Sequence, residues 1–271
     1  LKNFFTYSIK QNKEIKKKYR WQVAVTIVIL FLLGSFLNIP FSREVKRLKL
    51  EADITVNLKE SIFDALYTIG IGSLILGIII TFIGLWISSR ANLGAPLLAG
   101  YFSKGRIDKT SVWKALFSSI LIATIVALFL LGLFEVQKEF YPVSNKLSRP
   151  SKPFYALVSF SAGICEEIIF RLGLMSLIIT VIQFLKKEEN PSNKVIWTGI
   201  ILSALFFGLV HLPLSNNFVE LTPFTISVTI IGNLMTGSTF GWIFWKRGLL
   251  IAILSHIAFD LVFHVFGTPF T

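Results

Sequence analysis

The sequence predicts an all-α, polytopic membrane bundle of about seven, at most eight, transmembrane helices. Three observations carry this. Of the 271 residues, 54% are hydrophobic and only 15% charged, and the mean hydropathy is +0.70, well above that of ordinary soluble domains. Uncharged runs long enough to cross a ~30 Å hydrocarbon core recur along the chain. The Lys and Arg residues behind the formal net charge of +12 fall in short segments between those runs, as topology signals do, and form no continuous basic face. The lipid bilayer is therefore the expected environment, and nucleic acid is not an expected partner.

Residues 1–20 form a basic segment with Lys2, Lys10, Lys13, Lys16, Lys17, Lys18 and Arg20 against Glu14, suited to a cytoplasmic tail or an interfacial helix. The full-length apolar run that follows carries no small-residue cleavage pattern, so residues 21–40 read as a retained first span. Residues 41–63 mix acids and bases, with alternating Ile54, Val56 and Leu58, and read as a loop with room for short local structure. Residues 65–89 are the second span. The patch at 95–102 is too short to cross and is expected at the interface. Residues 113–134 are the third span, with Lys114 able to snorkel to the headgroups.

A polar loop containing Pro142 and Pro150 follows, and Pro153 suits the first turn of a helix. The fourth span, 154–185, is longer than the membrane core requires and must tilt, bend or protrude. The fifth runs over 195–212 and ends at His211 and Pro213. The sixth, 221–245, carries Gly237-x-x-x-Gly241 for tight helix packing, and the seventh is 249–267. Most Lys and Arg residues then lie on the N-terminal side of the membrane, which orients the chain with its N-terminus in the cytoplasm. Three segments follow: the basic segment 1–20, accessory helices and loops over 21–150, and a motif-bearing core over 151–271. The single cysteine, Cys165, excludes an intrachain disulfide and a cysteine-rich metal site.

The chemistry concentrates at Cys165-Glu166-Glu167-Ile168-Ile169-Phe170-Arg171. An ionisable side chain at membrane depth costs at least ~2.5–3.5 kcal/mol on insertion scales, so three of them together need a reason. Glu167 and Arg171 share a helical face and can pair. Glu166 lies about 100° around the helix and is free to point elsewhere. All three histidines occur in or at the ends of the last apolar segments. His211 follows Phe207 by four residues, His256 precedes Asp260 by four, and His264 is expected at the interface. Helix depths allow Glu166, His211 and His256 to share a cavity. The residues alone leave two readings open: a salt-bridge network that locks helix packing, or a catalytic constellation.

Glu166-Glu167-x-x-x-Arg171, Phe207-x-x-x-His211 and His256-x-x-x-Asp260, in this order on membrane helices, resemble the signature of the CAAX-protease and bacteriocin-processing family, which includes the Rce1-type prenyl-protein endopeptidases. Gly237-x-x-x-Gly241 and Arg247-Gly248-x-Leu250 ahead of His256 are similar to the family's small-residue helix. The resemblance covers roughly residues 150–262. It implies a cofactor-free glutamate-type endopeptidase that cuts near the C-terminus of a membrane-associated protein or peptide, prenylated or not. By this resemblance Glu166 is the general base, His211 positions the water, and His256 and the residue four later stabilise the oxyanion. Glu167 and Arg171 support them, with Phe207 beside His211. Asp260 departs from the Asn of the prenyl-protein branch. A carboxylate donates to an oxyanion only when protonated, so Asp260 is expected to orient or charge His256. Two further readings stay open. One is a zinc protease using His211, His256 and Glu166 or Asp260 as ligands; the other is a non-enzymatic peptide-immunity or binding protein.

Overall fold

The computed structural model describes residues 18–54, 61–104, 107–143 and 145–267. The basic segment before Lys18 and the alternating Val56 and Leu58 lie outside them. The described chain is helical throughout, with one isolated bridge between Asn145 and Val219. Six helical stretches are long and apolar enough to cross a membrane: Arg20–Glu51, Ile62–Arg90, Lys109–Phe140, Lys152–Leu185, Asn193–Phe218 and Leu249–Phe266.

The first stretch is two helices, α1 (Arg20–Leu37) and α2 (Ile39–Glu51), joined at Asn38 with Pro40 in the first turn of α2. Here the first part of the expected loop, up to Glu51, is a helix. Its buried residues Phe41, Val45 and Leu48 recur at helical spacing, while Arg47 pairs with Glu44 and Glu51 on the outer face. The mixed charges thus mark one side of an amphipathic helix, whose apolar side packs on Tyr155 and Phe218. Helix α3 (Ile62–Arg90) starts at a capping box between Ser61 and Asp64. The expected interfacial patch is a two-turn helix, α4 (Pro96–Phe102), and α5 (Lys109–Phe140) is capped by Asp108.

The fourth stretch is compound: α6 (Lys152–Glu166), a π-helical segment (Glu167–Met175) and α7 (Ser176–Leu185). Helix α8 (Asn193–Phe218) runs through Pro213, where an end was expected. Proline removes one ladder bond there, but tertiary contacts hold the continuation. Lys146 N–H donates to Phe218 O at 2.7 Å, and Lys146 Nζ donates to Asn216 Oδ1 at 2.9 Å. Helix α9 (Pro223–Arg247) occupies the place of the sixth expected span. Its Thr, Ser, Asn and Gly residues keep it outside the set that composition marks as membrane-crossing. The last described helices are α10 (Leu249–Asp260) and a second π-helical segment (Leu261–Phe266).

One hydrophobic core joins residues of α1, α4, α5, the first π segment, α8, α9 and α10. Close approach of backbones builds it. A Cβ at Gly237 would lie 2.8 Å from Ala204 Cβ, and one at Gly241 would lie 3.1 Å from Ile200 Cγ2, so the expected small-residue pair seats α9 against α8 one turn apart. Gly163 does the same for the site. A Cβ there would meet Ile257 Cγ1 at 2.5 Å and Ile257 N at 3.0 Å, so glycine is what lets α10 approach α6 beside His256. Arg247 Nη1 then ties the α9–α10 turn to α5 through Ala115 O, Ser118 Oγ and Ser119 Oγ. At one end of the bundle, Leu249 N–H donates to Gly94 O and Asn92 Nδ2 donates to Asn190 Oδ1. The other end gathers α2, Lys146, Phe218 and the start of α6.

Candidate active site

The helix changes character between the two acids. Glu166 is the last α-helical residue of α6, and Glu167 opens the π segment. Such widened turns recur at functional sites, and this one separates the two carboxylates into different surroundings. Glu167 has no exposed side-chain surface, whereas that of Glu166 is 26% exposed. Ser176 Oγ donates to Arg171 O, and Ser203 Oγ of α8 donates to Phe170 O at 3.0 Å, taking up carbonyls of the widened turn. A second π segment begins directly after Asp260. Both acid-bearing helices therefore widen immediately past their acids.

Glu167 makes two contacts. Its Oε2 lies 3.3 Å from Arg171 Nε, an ion pair with both side chains fully buried. Its Oε1 accepts a hydrogen bond from His256 Nδ1 at 3.0 Å. The pairing with Arg171 is the one its spacing suggests; the bond to His256 spans 89 positions of sequence. The Arg171 guanidinium carbon sits 5.2 Å from the centroid of Phe207, so it is held between a carboxylate and an aromatic face.

Both histidines are fixed in the same way. A carboxylate and a carbonyl only accept, so His256 donates through Nδ1–H to Glu167. His211 likewise donates through Nδ1–H to Phe207 O at 2.7 Å. That places the remaining nitrogen of each ring, Nε2, towards one point. Glu166 stands there, with Oε1 3.8 Å from His211 Nε2 and Oε2 3.8 Å from His256 Nε2. Asp260 Oδ1 is 3.7 Å from His256 Nε2. The residue that hydrogen-bonds Nδ1 of His256 is thus Glu167, while Asp260 approaches the opposite nitrogen. Separations of this size are too long for direct hydrogen bonds.

Exposure is graded across the cluster. The side chains of Glu166 and His211 are 26% and 22% exposed, against 4% for His256 and 10% for Asp260. Glu166 and His211 form the accessible side of the cluster, and Glu167, Arg171 and His256 its buried side. Phe207 packs 4.4 Å from the His211 ring and edge-on to Phe170. Among the described residues, no group of three or more His, Cys, Asp or Glu side chains is arranged to hold a metal ion.

Two neighbours of the acids lie elsewhere. Cys165 Sγ faces α1, 3.5 Å from Phe31 O and 3.7 Å from Ser35 Oγ. His264 stacks on Tyr155 at 5.3 Å, near the start of α6. Sequence reasoning missed Phe240, whose ring stacks 4.3 Å from His256 at 19°. Its place within the Gly237–Gly241 turn, on the packed face of α9, was the available signal. Gly163 was missed as well, because a lone glycine in a span carries no mark of the helix it admits.

These side chains all belong to a single stretch of the chain. Neither a curated protein nor a solved structure gives a match to the chain. Residues 149–262 match the family model described as type II CAAX prenyl endopeptidase Rce1-like, so a CAAX-protease, Rce1-like domain is identified over this part of the chain, which holds the buried glutamate–histidine cluster.

Proposed function

We propose that the chain is an intramembrane endopeptidase in which Glu166 and His211 activate a water, and that its substrate is a membrane-associated protein or peptide cut near its C-terminus. The observation that carries this reading is the convergence of two histidine Nε2 atoms on one accessible carboxylate, each at 3.8 Å.

The tautomers define the roles. With Nδ1–H committed to Phe207 O, His211 Nε2 accepts a hydrogen bond from the water and orients its lone pair. Glu166 takes the other proton as the water oxygen bonds to the scissile carbonyl carbon, then returns that proton to the leaving amine. The products are a carboxylic acid and an amine, and no other reactant is consumed. His256 acts as the imidazolium, donating Nε2–H to the oxyanion. Glu167 at Nδ1 and Asp260 beside Nε2 balance that charge, which gives Asp260 a role that does not require it to donate. Arg171 and Phe207 hold Glu167 and His211 in place.

Residues 151–271 then constitute the catalytic core, and residues 21–150 pack around it. We take α9 as a seventh crossing, with the N-terminus in the cytoplasm and the site nearer the opposite face, where Lys146 meets Phe218. In sealed cells, a membrane-impermeant maleimide is expected to label a cysteine placed at Asn216 and not one placed at Asn190, in a Cys165→Ala background. The reverse pattern would invert the topology.

Purified protein in lipid vesicles is expected to release C-terminal fragments from membrane-anchored peptides, read by mass spectrometry. Matched peptides with and without a prenyl group decide whether the isoprenoid contributes. Equal release by pure wild type and pure Glu166→Gln protein would overturn the assignment of Glu166 as the base.

A further inference from the structure

A second concave feature lies away from the catalytic residues, at the end of the bundle formed by the start of α1, the end of α3 and the α3–α4 turn. It is a cavity of about 820 Å³, within the ~300–1,000 Å³ range of small-molecule sites. Its walls are apolar along the helices, with Phe82, Ile83 and Leu85 from α3 and Ala99 from α4. Arg20 and Arg90 are among its lining residues, and no Asp or Glu is.

The two arginines are supported by aromatic rings at the expected depth of the membrane surface. Arg90 Cζ lies 3.6 Å from the Trp86 centroid, with Nη1 donating to Trp86 O, and Arg20 Cζ lies 5.9 Å from the Trp21 centroid. Trp21 and Trp86 are 58% and 61% exposed, as tryptophans of an interfacial belt are. Stacking fixes the Arg90 guanidinium, and the Arg20 guanidinium lies at the outer edge of cation–π reach of its ring, which leaves most of the N–H donors of both free to meet an anion. Lys16, Lys17 and Lys18 lie just ahead of Arg20 in sequence. An apolar chamber lined by two cations and two exposed tryptophans complements an amphiphile with a phosphate headgroup.

We propose that this cavity binds one anionic phospholipid, its phosphate held between Arg20 and Arg90 and its acyl chains lying along α3. The site is independent of the proteolytic reading, because none of its residues touches the Glu166 cluster.

Full-length protein in nonionic micelles, incubated with phosphatidylglycerol or phosphatidylcholine of identical chains and read by native mass spectrometry, tests this. Wild type is expected to prefer phosphatidylglycerol by about tenfold. Arg20→Ala/Arg90→Ala is expected to bring the ratio of the two lipids close to one, while Arg20→Lys/Arg90→Lys keeps a preference. Because the ratio is taken within each variant, partial loss of folded protein does not disturb it. Glycerol 1-phosphate, which carries the anion without chains, is expected to compete poorly. Equal binding of the two lipids by wild type, an unchanged ratio in the alanine variant, or efficient displacement by glycerol 1-phosphate would each overturn the proposal.

Discussion

Glu166→Gln is expected to lower the turnover number for peptide cleavage by about a thousandfold, within the range of general-base contributions, while the unfolding midpoint stays close to that of wild type. The substitution keeps the volume and the hydrogen-bonding reach of the side chain and removes only its ability to take a proton. Because Glu166 is partly exposed and its nearest polar atoms are 3.8 Å away, no short buried contact is lost. His211→Ala is expected to lose a comparable factor. The double variant should fall little below either single one, since both act on the same water and their effects are not additive. Independent, multiplying losses would separate the two residues and remove the shared water from the mechanism.

The opposite profile is expected for Arg171→Ala: a loss of about 3–5 kcal/mol of stability, as when one partner of a buried ion pair is removed. Arg171 and Glu167 both have no exposed side-chain surface, so the truncation leaves a buried carboxylate with His256 as its remaining partner and a void beside Phe207. Arg171→Lys keeps the charge but not the planar group that faces Phe207, and should fall between. Unfolding in mixed micelles, followed by tryptophan fluorescence against denaturing detergent, measures this. A loss below about 1 kcal/mol would show that the pair contributes no more than a surface salt bridge. Activity of Arg171→Ala is expected to fall with the folded fraction, whereas that of Glu166→Gln falls with the folded fraction intact. The two variants thus separate the accessible acid from the one that anchors the site.

Much of the fold is legible in the chain because membrane burial is one-dimensional information. A run of apolar residues must be helical when no water is present to satisfy its backbone, so the main spans follow from composition. Errors fall where that rule stops applying. The segment Ile39–Glu51 is amphipathic and charged, and its helix depends on a partner surface at Tyr155 that composition cannot name. The part of α8 beyond Pro213 is held by Lys146, 70 positions away from Asn216.

For the site, the sequence by itself determined which residues are too costly to be incidental. Glu166, Glu167, Arg171, His256 and Asp260 are ionisable groups within apolar helices, and with His211 they were identifiable from hydropathy and spacing alone. The Glu167–Arg171 pair was readable too, because a four-residue spacing is a local property of a helix. Only the tertiary structure decided the division of labour. Glu167 bonds His256, Asp260 faces the other ring nitrogen, and Glu166 stands between the two Nε2 atoms. Those relations depend on the angle at which α10 meets α6 at Gly163 and on the widening of the helix at Glu167. Both are outcomes of packing between segments distant in sequence, and neither leaves a local pattern in the chain.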